Sequence, residues 1–142
     1  MTIWKKSTDL HAIQAFNSGT AVEALGIEFT EIGPDFLKAR MPVDARTSQP
    51  YGLLHGGASC LLAESMGSVG AYLSAEEPLQ AVGTDINASH VRSATSGWVT
   101  GIARPLKLGR RMQFWGIEIF DDESKLVCTA RLTIALINRG ST

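Results

Sequence analysis

The sequence predicts an α+β domain in which one long central helix is wrapped by a curved, largely antiparallel sheet. Three observations point there. Apolar residues recur with period two on both sides of a single long helical stretch, so strands flank that helix along the chain. Only one link between those strands is long enough to hold a helix, and the others are short turns, the pattern of antiparallel neighbours. The helical stretch itself, residues 58–75, is too apolar to float on a surface, so sheet has to cover it.

The elements follow in order. A short helix is expected at 8–18, where Leu10, Ile13 and Phe16 recur at helical spacing, Thr8 can cap the start and Asn17-Ser18-Gly19 ends it. Thr20-Ala21-Val22-Glu23 has the form of a capping box, with Glu23 reaching back to the Thr20 amide; Gly26 closes this second short helix, so short helices fill residues 1–25. Period two begins at Ile27. Ile27, Phe29 and Glu31 are expected on one face of a strand ending near Gly33-Pro34. Leu37, Ala39, Met41 and Val43 then share a face opposite Lys38 and Arg40, completing a hairpin. Residues 44–57 are irregular, with Pro50 and three glycines. In the helix at 58–75, Leu62, Met66, Val69 and Leu73 form the large apolar stripe. Past Glu76-Glu77-Pro78 come strands at 80–90, 97–104, 112–120 and 126–137, with turns at Gly97, Gly109 and Asp121-Asp122.

The 142 residues fit a single domain, 1–142, and a chain of this size buries roughly two-thirds of its unfolded surface. Hydrophobic residues at 44% and charged residues at 19% place it among folded globular chains, and a net charge of −1 with no broad basic face speaks against nucleic acid. The first seven residues hold no apolar run, and the stretch 56–75 is interrupted by Glu64, so neither a signal peptide nor a membrane span is expected. Cys60 and Cys128 both sit in apolar surroundings and read as buried structural thiols, which makes a reducing cytoplasm the expected home. No metal-ligand spacing, Walker loop, dinucleotide fingerprint or Gly-x-Ser-x-Gly elbow occurs, so neither a metal nor a separate cofactor is expected.

Glu64 is the one charged residue between His55 and Glu76. A solvated glutamate on an outward face is the plain reading, but such a face ordinarily carries several charges. A lone carboxylate among apolar groups suits a tuned base or nucleophile. Ser68 lies one turn on, on the same face, where it can orient that carboxylate or simply fill space. Gly56 and Gly57 stand where the helix begins, and the first amides of a helix have no internal partner, so they can donate to an oxygen on which charge develops; a simple glycine turn is the other reading. Glu64 lies about 10 Å along the helix from Gly57. One helix cannot serve both ends of one small reacting group, so Glu64 of one protomer is expected to act with Gly56 of another. His90 and Arg92 alternate at a strand end, and Lys107, Arg110 and Arg111 form a basic loop around Gly109 that taken alone reads as solvated charge.

The segment Gln49-Pro50-Tyr51-Gly52-Leu53-Leu54-His55-Gly56-Gly57 followed by Glu64 resembles the hotdog-fold thioesterases of the 4-hydroxybenzoyl-CoA type, especially the bacterial branch acting on 1,4-dihydroxy-2-naphthoyl-CoA and on aryl-loaded carrier proteins. The likeness also runs through Ile3-Trp4-Lys5, Met41-Pro42-Val43-Asp44, Ile86-Asn87-Ala88 with His90 and Arg92, Pro105-Leu106, Leu108-Gly109-Arg110 and Arg131-Leu132-Thr133. It implies a hotdog fold and hydrolysis of an acyl-CoA or carrier-protein thioester. Glu64 would attack the thioester or activate water, Gly56 N–H would serve the oxyanion, Gln49 would hold the carbonyl, and His55 would assist binding or proton transfer. CoA, part of the substrate, would meet Gly83, the block His90, Val91, Arg92 and Ser93, and the block Lys107, Leu108, Gly109, Arg110, Arg111 and Met112. The resemblance further implies aromatic acyl groups, and a tetramer built from two dimers. Leu61, Met66 and Val69 are the residues expected to line the acyl group.

Two other readings stand beside this one. Hotdog-fold hydratases and dehydratases also use an acid and a histidine, but carry Pro-Gly before the helix and Glu only a few residues in, unlike His55-Gly56-Gly57 with the deeper Glu64. A non-catalytic acyl-CoA binding module would have no use for a carboxylate in a cleft.

Overall fold

The computed structural model describes residues 1–139, so the last three residues of the expected 1–142 domain lie outside the described residues. Two short helices, α1 (Leu10–Phe16) and α2 (Ala21–Ala24), precede β1 (Glu28–Ile32) and β2 (Leu37–Pro42). The long helix α3 (Gly56–Ser74) leads to β3 (Gln80–His90), β4 (Trp98–Leu108), β5 (Met112–Phe120) and β6 (Leu126–Ile137). The six strands form one sheet in the order β1-β2-β4-β5-β6-β3, every neighbouring pair antiparallel. α3 carries the chain from β2 across to β3 at the far edge, and packs against β2 through β6 on the way.

Alternation explains which face of the sheet meets the helix. Leu37, Ala39 and Met41 of β2, Val99 and Ala103 of β4, and Trp115, Ile117 and Ile119 of β5 are fully buried in one core cluster with Leu62 and Met66 of α3. Each buried Val, Leu, Ile or Met side chain among them contributes roughly 1.5–3 kcal/mol by leaving water. The helix comes close because small residues face the sheet: a Cβ at Gly70 would lie 2.6 Å from the Trp115 ring, and one at Gly67 2.5 Å from Leu132. The Trp115 indole donates to Gln113 Oε1 (2.8 Å), Gln113 Nε2 donates to Ser74 Oγ (3.2 Å) and Ser74 donates to Gly70 O (2.8 Å), so this buried polar chain ties β5 to the end of α3.

The N-terminal strap closes that end. Trp4 stacks on Trp115 and donates to Gly33 O, while Lys6 Nζ reaches the carbonyls of Tyr72 (2.8 Å) and Ala75 (2.7 Å) at the C-terminus of α3. A cation there suits the helix dipole. Among the described residues no helix is long and apolar enough to cross a membrane.

Several local expectations are corrected. Asp9, not Thr8, caps α1, accepting from the Ala12 amide at 2.8 Å. Glu23 takes the Gly19 amide rather than that of Thr20, because the Thr20 amide already donates to the Asn17 carbonyl at 3.3 Å. A bulge between Phe29 and Glu31 flips the pleat, so Glu31 is exposed and Ile32 packs on the core. β4 runs past Pro105 to Leu108, because a second bulge absorbs the missing amide. α3 starts two residues earlier than expected, with His55 as its cap.

Candidate active site

The irregular segment before α3 ends in a compact turn. Gln49 N donates to Leu53 O and Gly52 N returns to Gln49 O, while Gln49 Oε1 accepts the amides of Tyr51 and Leu53. The acceptor end of Gln49 is therefore committed to the turn. Its Nε2 group donates to nothing among the described residues and is free for an incoming oxygen.

His55 closes the start of α3. Its Nδ1 accepts the Gly57 amide at 2.8 Å, and its carbonyl accepts the amides of Ala58 and Ser59. An accepting Nδ1 requires the tautomer that carries its proton on Nε2. The cap also sorts the first-turn donors. Gly57, Ala58 and Ser59 are satisfied, which leaves the Gly56 amide as the first-turn donor without an acceptor among the described residues. The imidazole of His90 lies over Gly56, where a Cβ would meet Nε2 at 2.7 Å. Gln49, Gly56, His90, Val91, Arg92 and Ser93 thus share one concavity of about 320 Å³.

Glu64 faces a different space. With Cys60, Leu61, Ser68, Val69 and Tyr72 it lines a cavity of about 1270 Å³, closed on the far side by Ile13, Phe16 and Val22 of the N-terminal helices. Its carboxylate rests against Gly83 of β3, and among the described residues no cation pairs with it and no donor bonds it. A carboxylate without partners, bordered by apolar walls, has lone pairs available to attack carbon or to take a proton from water. Ser68 shares the cavity without a hydrogen bond to Glu64.

The structure therefore brings together Gln49, Gly56 and the block His90 to Ser93 in one place, and Glu64, Ser68 and Gly83 in another. His55 stands at the entrance of the helix as its cap. Lys107, Leu108, Gly109, Arg110, Arg111 and Met112 form the β4–β5 hairpin at the other end of the sheet: Met112 pairs with Ala135, whereas His90 pairs with Cys128. Seven residues of strand separate those ends, roughly 23 Å. One protomer cannot close both blocks on one short ligand segment.

Three expectations about the cavity change. Met66 is fully buried against the sheet and does not line it, whereas Leu61 and Val69 do. Val69 correspondingly leaves the buried stripe. Cys60 is half-exposed on the cavity wall; only Cys128 is buried, and burial first, with Cys60 nearby, pushes its thiol up to about 11. The walls supplied by Cys60, Tyr72 and Phe16 were missed, although Cys60 and Tyr72 stand one turn before and two turns after Glu64 on the same helical face. Among the described residues no three His, Cys, Asp or Glu groups converge as metal ligands.

Comparison with known proteins shows the family and the fold of the chain. Residues 51–128 match the model of the thioesterase superfamily. The chain is 54% identical to the 1,4-dihydroxy-2-naphthoyl-CoA hydrolase of Escherichia coli over 95% of its length and 99% of the relative's. It is 50% identical to the proofreading thioesterase EntH of Cronobacter turicensis over 95% and 98%. Among solved structures, a thioesterase of Haemophilus influenzae superposes with a TM-score of 0.94 at 48% identity, covering 96% of each chain, so the curled sheet around α3 is the hotdog fold.

Proposed function

The chain belongs to the thioesterase superfamily and is a thioester hydrolase, and from that premise we propose that its substrate is an acyl-CoA with an aromatic acyl group, hydroxybenzoyl- or 1,4-dihydroxy-2-naphthoyl-CoA being the type. A carrier-protein thioester is the second form of the same substrate, since it presents the same acyl–sulfur bond to the site. In this reading Glu64 supplies the carboxylate, as nucleophile or as general base toward water. The Gly56 amide and Gln49 Nε2 hold the thioester oxygen as charge gathers on it. The expelled thiolate is the sulfur of the CoA arm.

One observation carries the assignment. Among the described residues the capped first turn leaves one free amide, Gly56, beside the free donor of Gln49, while the unpaired carboxylate of Glu64, farther along the same helix, faces a separate cavity. The two halves of the chemistry are complementary and separated. We therefore infer an active unit of two protomers, Glu64 of one completing the Gly56 site of the other, with two such dimers forming a tetramer. The free outer edge of β3 offers the backbone groups for such an association. Arg92 and the Lys107–Arg111 hairpin, at opposite ends of one protomer, then hold the phosphates of CoA from different chains. In this reading the protein works in the cytoplasm, in keeping with its two free cysteines.

The test is release of free thiol from a panel of aryl- and fatty-acyl-CoAs by wild type and Glu64→Gln. Turnover of aryl-CoA that falls by about 10²-fold or more in the variant is expected. Equal rates in the variant, or no thiol release from any member, refute this reading.

A further inference from the structure

β3 carries a glycine that its own backbone does not require. Gly83 is absent from the positive-φ positions, which are Gly19, Gly26, Gly52, Gly97 and Ser124. It stands inside an eleven-residue strand, where glycine weakens pairing and any β-former would strengthen it. The reason for a missing side chain is steric, and it is one group. A Cβ at Gly83 would lie 2.7 Å from Glu64 Oε2 and 3.5 Å from the carboxyl carbon; the next neighbour, Leu132 Cδ1, is at an ordinary 3.6 Å.

The strand is shaped at this point too. Pairing of β3 with β6 shifts between Gly83 and Asp85, so Thr84 is the extra residue of a bulge, and its hydroxyl donates to Thr133 O at 3.2 Å. Bulges re-aim the residues beside them. With the bulge held by Thr133, the bare Cα of Gly83 forms a notch in the sheet, and the carboxylate of Glu64 occupies it.

We propose that Gly83 is a positioning residue for Glu64: the notch sets where the carboxylate stands relative to the thioester carbon. The proposal rests on Glu64 as the reacting carboxylate, and it differs from the CoA contact that resemblance implies for Gly83. The obstructed atom is the end of a flexible side chain, so a methyl group is accommodated by moving the carboxylate about 0.7 Å, to normal contact. Folding tolerates that displacement, but a misplacement on the order of 1 Å at a reacting group lowers rate by as much as 10²-fold.

Gly83→Ala is expected to lower kcat on the best aryl-CoA about 10- to 100-fold, with KM held within about twofold and Tm unchanged or raised. In a Glu64→Gln background the same change is expected to have almost no further effect, because the group it displaces is already disabled. A crystal structure of the alanine variant should show the Glu64 carboxyl moved off its wild-type position. An unchanged kcat, a rise in KM alone, additive losses in the double variant, or a large fall in Tm would each overturn the positioning role. Those outcomes are distinct from failure of the premise, in which Glu64→Gln itself keeps wild-type turnover.

Discussion

Mixing two disabled chains should restore activity, and by a definite amount. Glu64 lies eight positions beyond Gly56 along α3, about 12 Å at helical rise, and the two face separate cavities. Gln49 sits on the Gly56 side. On the proposed two-protomer arrangement, Glu64→Gln and Gln49→Ala damage opposite halves of one site. Loss of a base or of one oxyanion donor lowers rate by about 10²- to 10³-fold, so each parent alone should show at most about 1% of wild-type turnover. In a mixed dimer one site combines both defects and the other is intact. Random association makes half the dimers mixed, so co-expressed chains should recover about one quarter of wild-type activity, and tandem purification through two tags about one half. The assay is thiol release at saturating aryl-CoA, with native mass spectrometry to count mixed dimers. Mixed dimers no more active than either parent would show that each site is built within one protomer and refute the shared arrangement.

Two further expectations concern the scaffold. Lys6→Met keeps the buried stem but removes two hydrogen bonds to the carbonyls of Tyr72 and Ala75 from a side chain only 13% exposed; a loss of about 1–3 kcal/mol, seen calorimetrically as a Tm lower by several degrees, is expected, and an unchanged Tm would remove the helix-capping role. Cys128 holds its proton to about 11 against an ordinary 9.0, so the unfolded chain binds fewer protons than the folded one across that interval. Stability is therefore full below pH 9 and falls toward pH 11, and the fall measured by urea unfolding should be shallower in Cys128→Ala; an equal slope would contradict it.

Much of the fold is legible because each element announces its period locally. Leu37, Ala39 and Met41 alternate with charged residues, and Trp115, Ile117 and Ile119 alternate on β5, since one face of each strand must leave water. Glu64 stands out for the same reason, as a charge on a helix that carries no other. The misplacements have local causes of a different kind. The bulge after Phe29 costs Glu31 its expected face, Pro105 hides the length of β4, and Met66 and Val69, both expected in the stripe and on the cavity wall, divide between the two, Met66 to the sheet and Val69 to the cavity. A bulge or a helix covered over half its girth leaves the period intact while changing what each residue meets.

Spacing alone carries the order of elements, the single long helix, the lone Glu64 on it and the glycines at its start, whereas Gln49 and the part given to His55 rest on the resemblance. Which of these residues meet was decided by register and by strand order. Antiparallel pairing sets Gly83 beneath Glu64 and brings His90 over Gly56, residues 19 and 34 positions apart in sequence. It also sends the basic hairpin to the opposite end of the sheet from Arg92. A local pattern reports whether a side chain is buried; only the closed sheet fixes against what, because that depends on contacts between segments whose spacing carries no period.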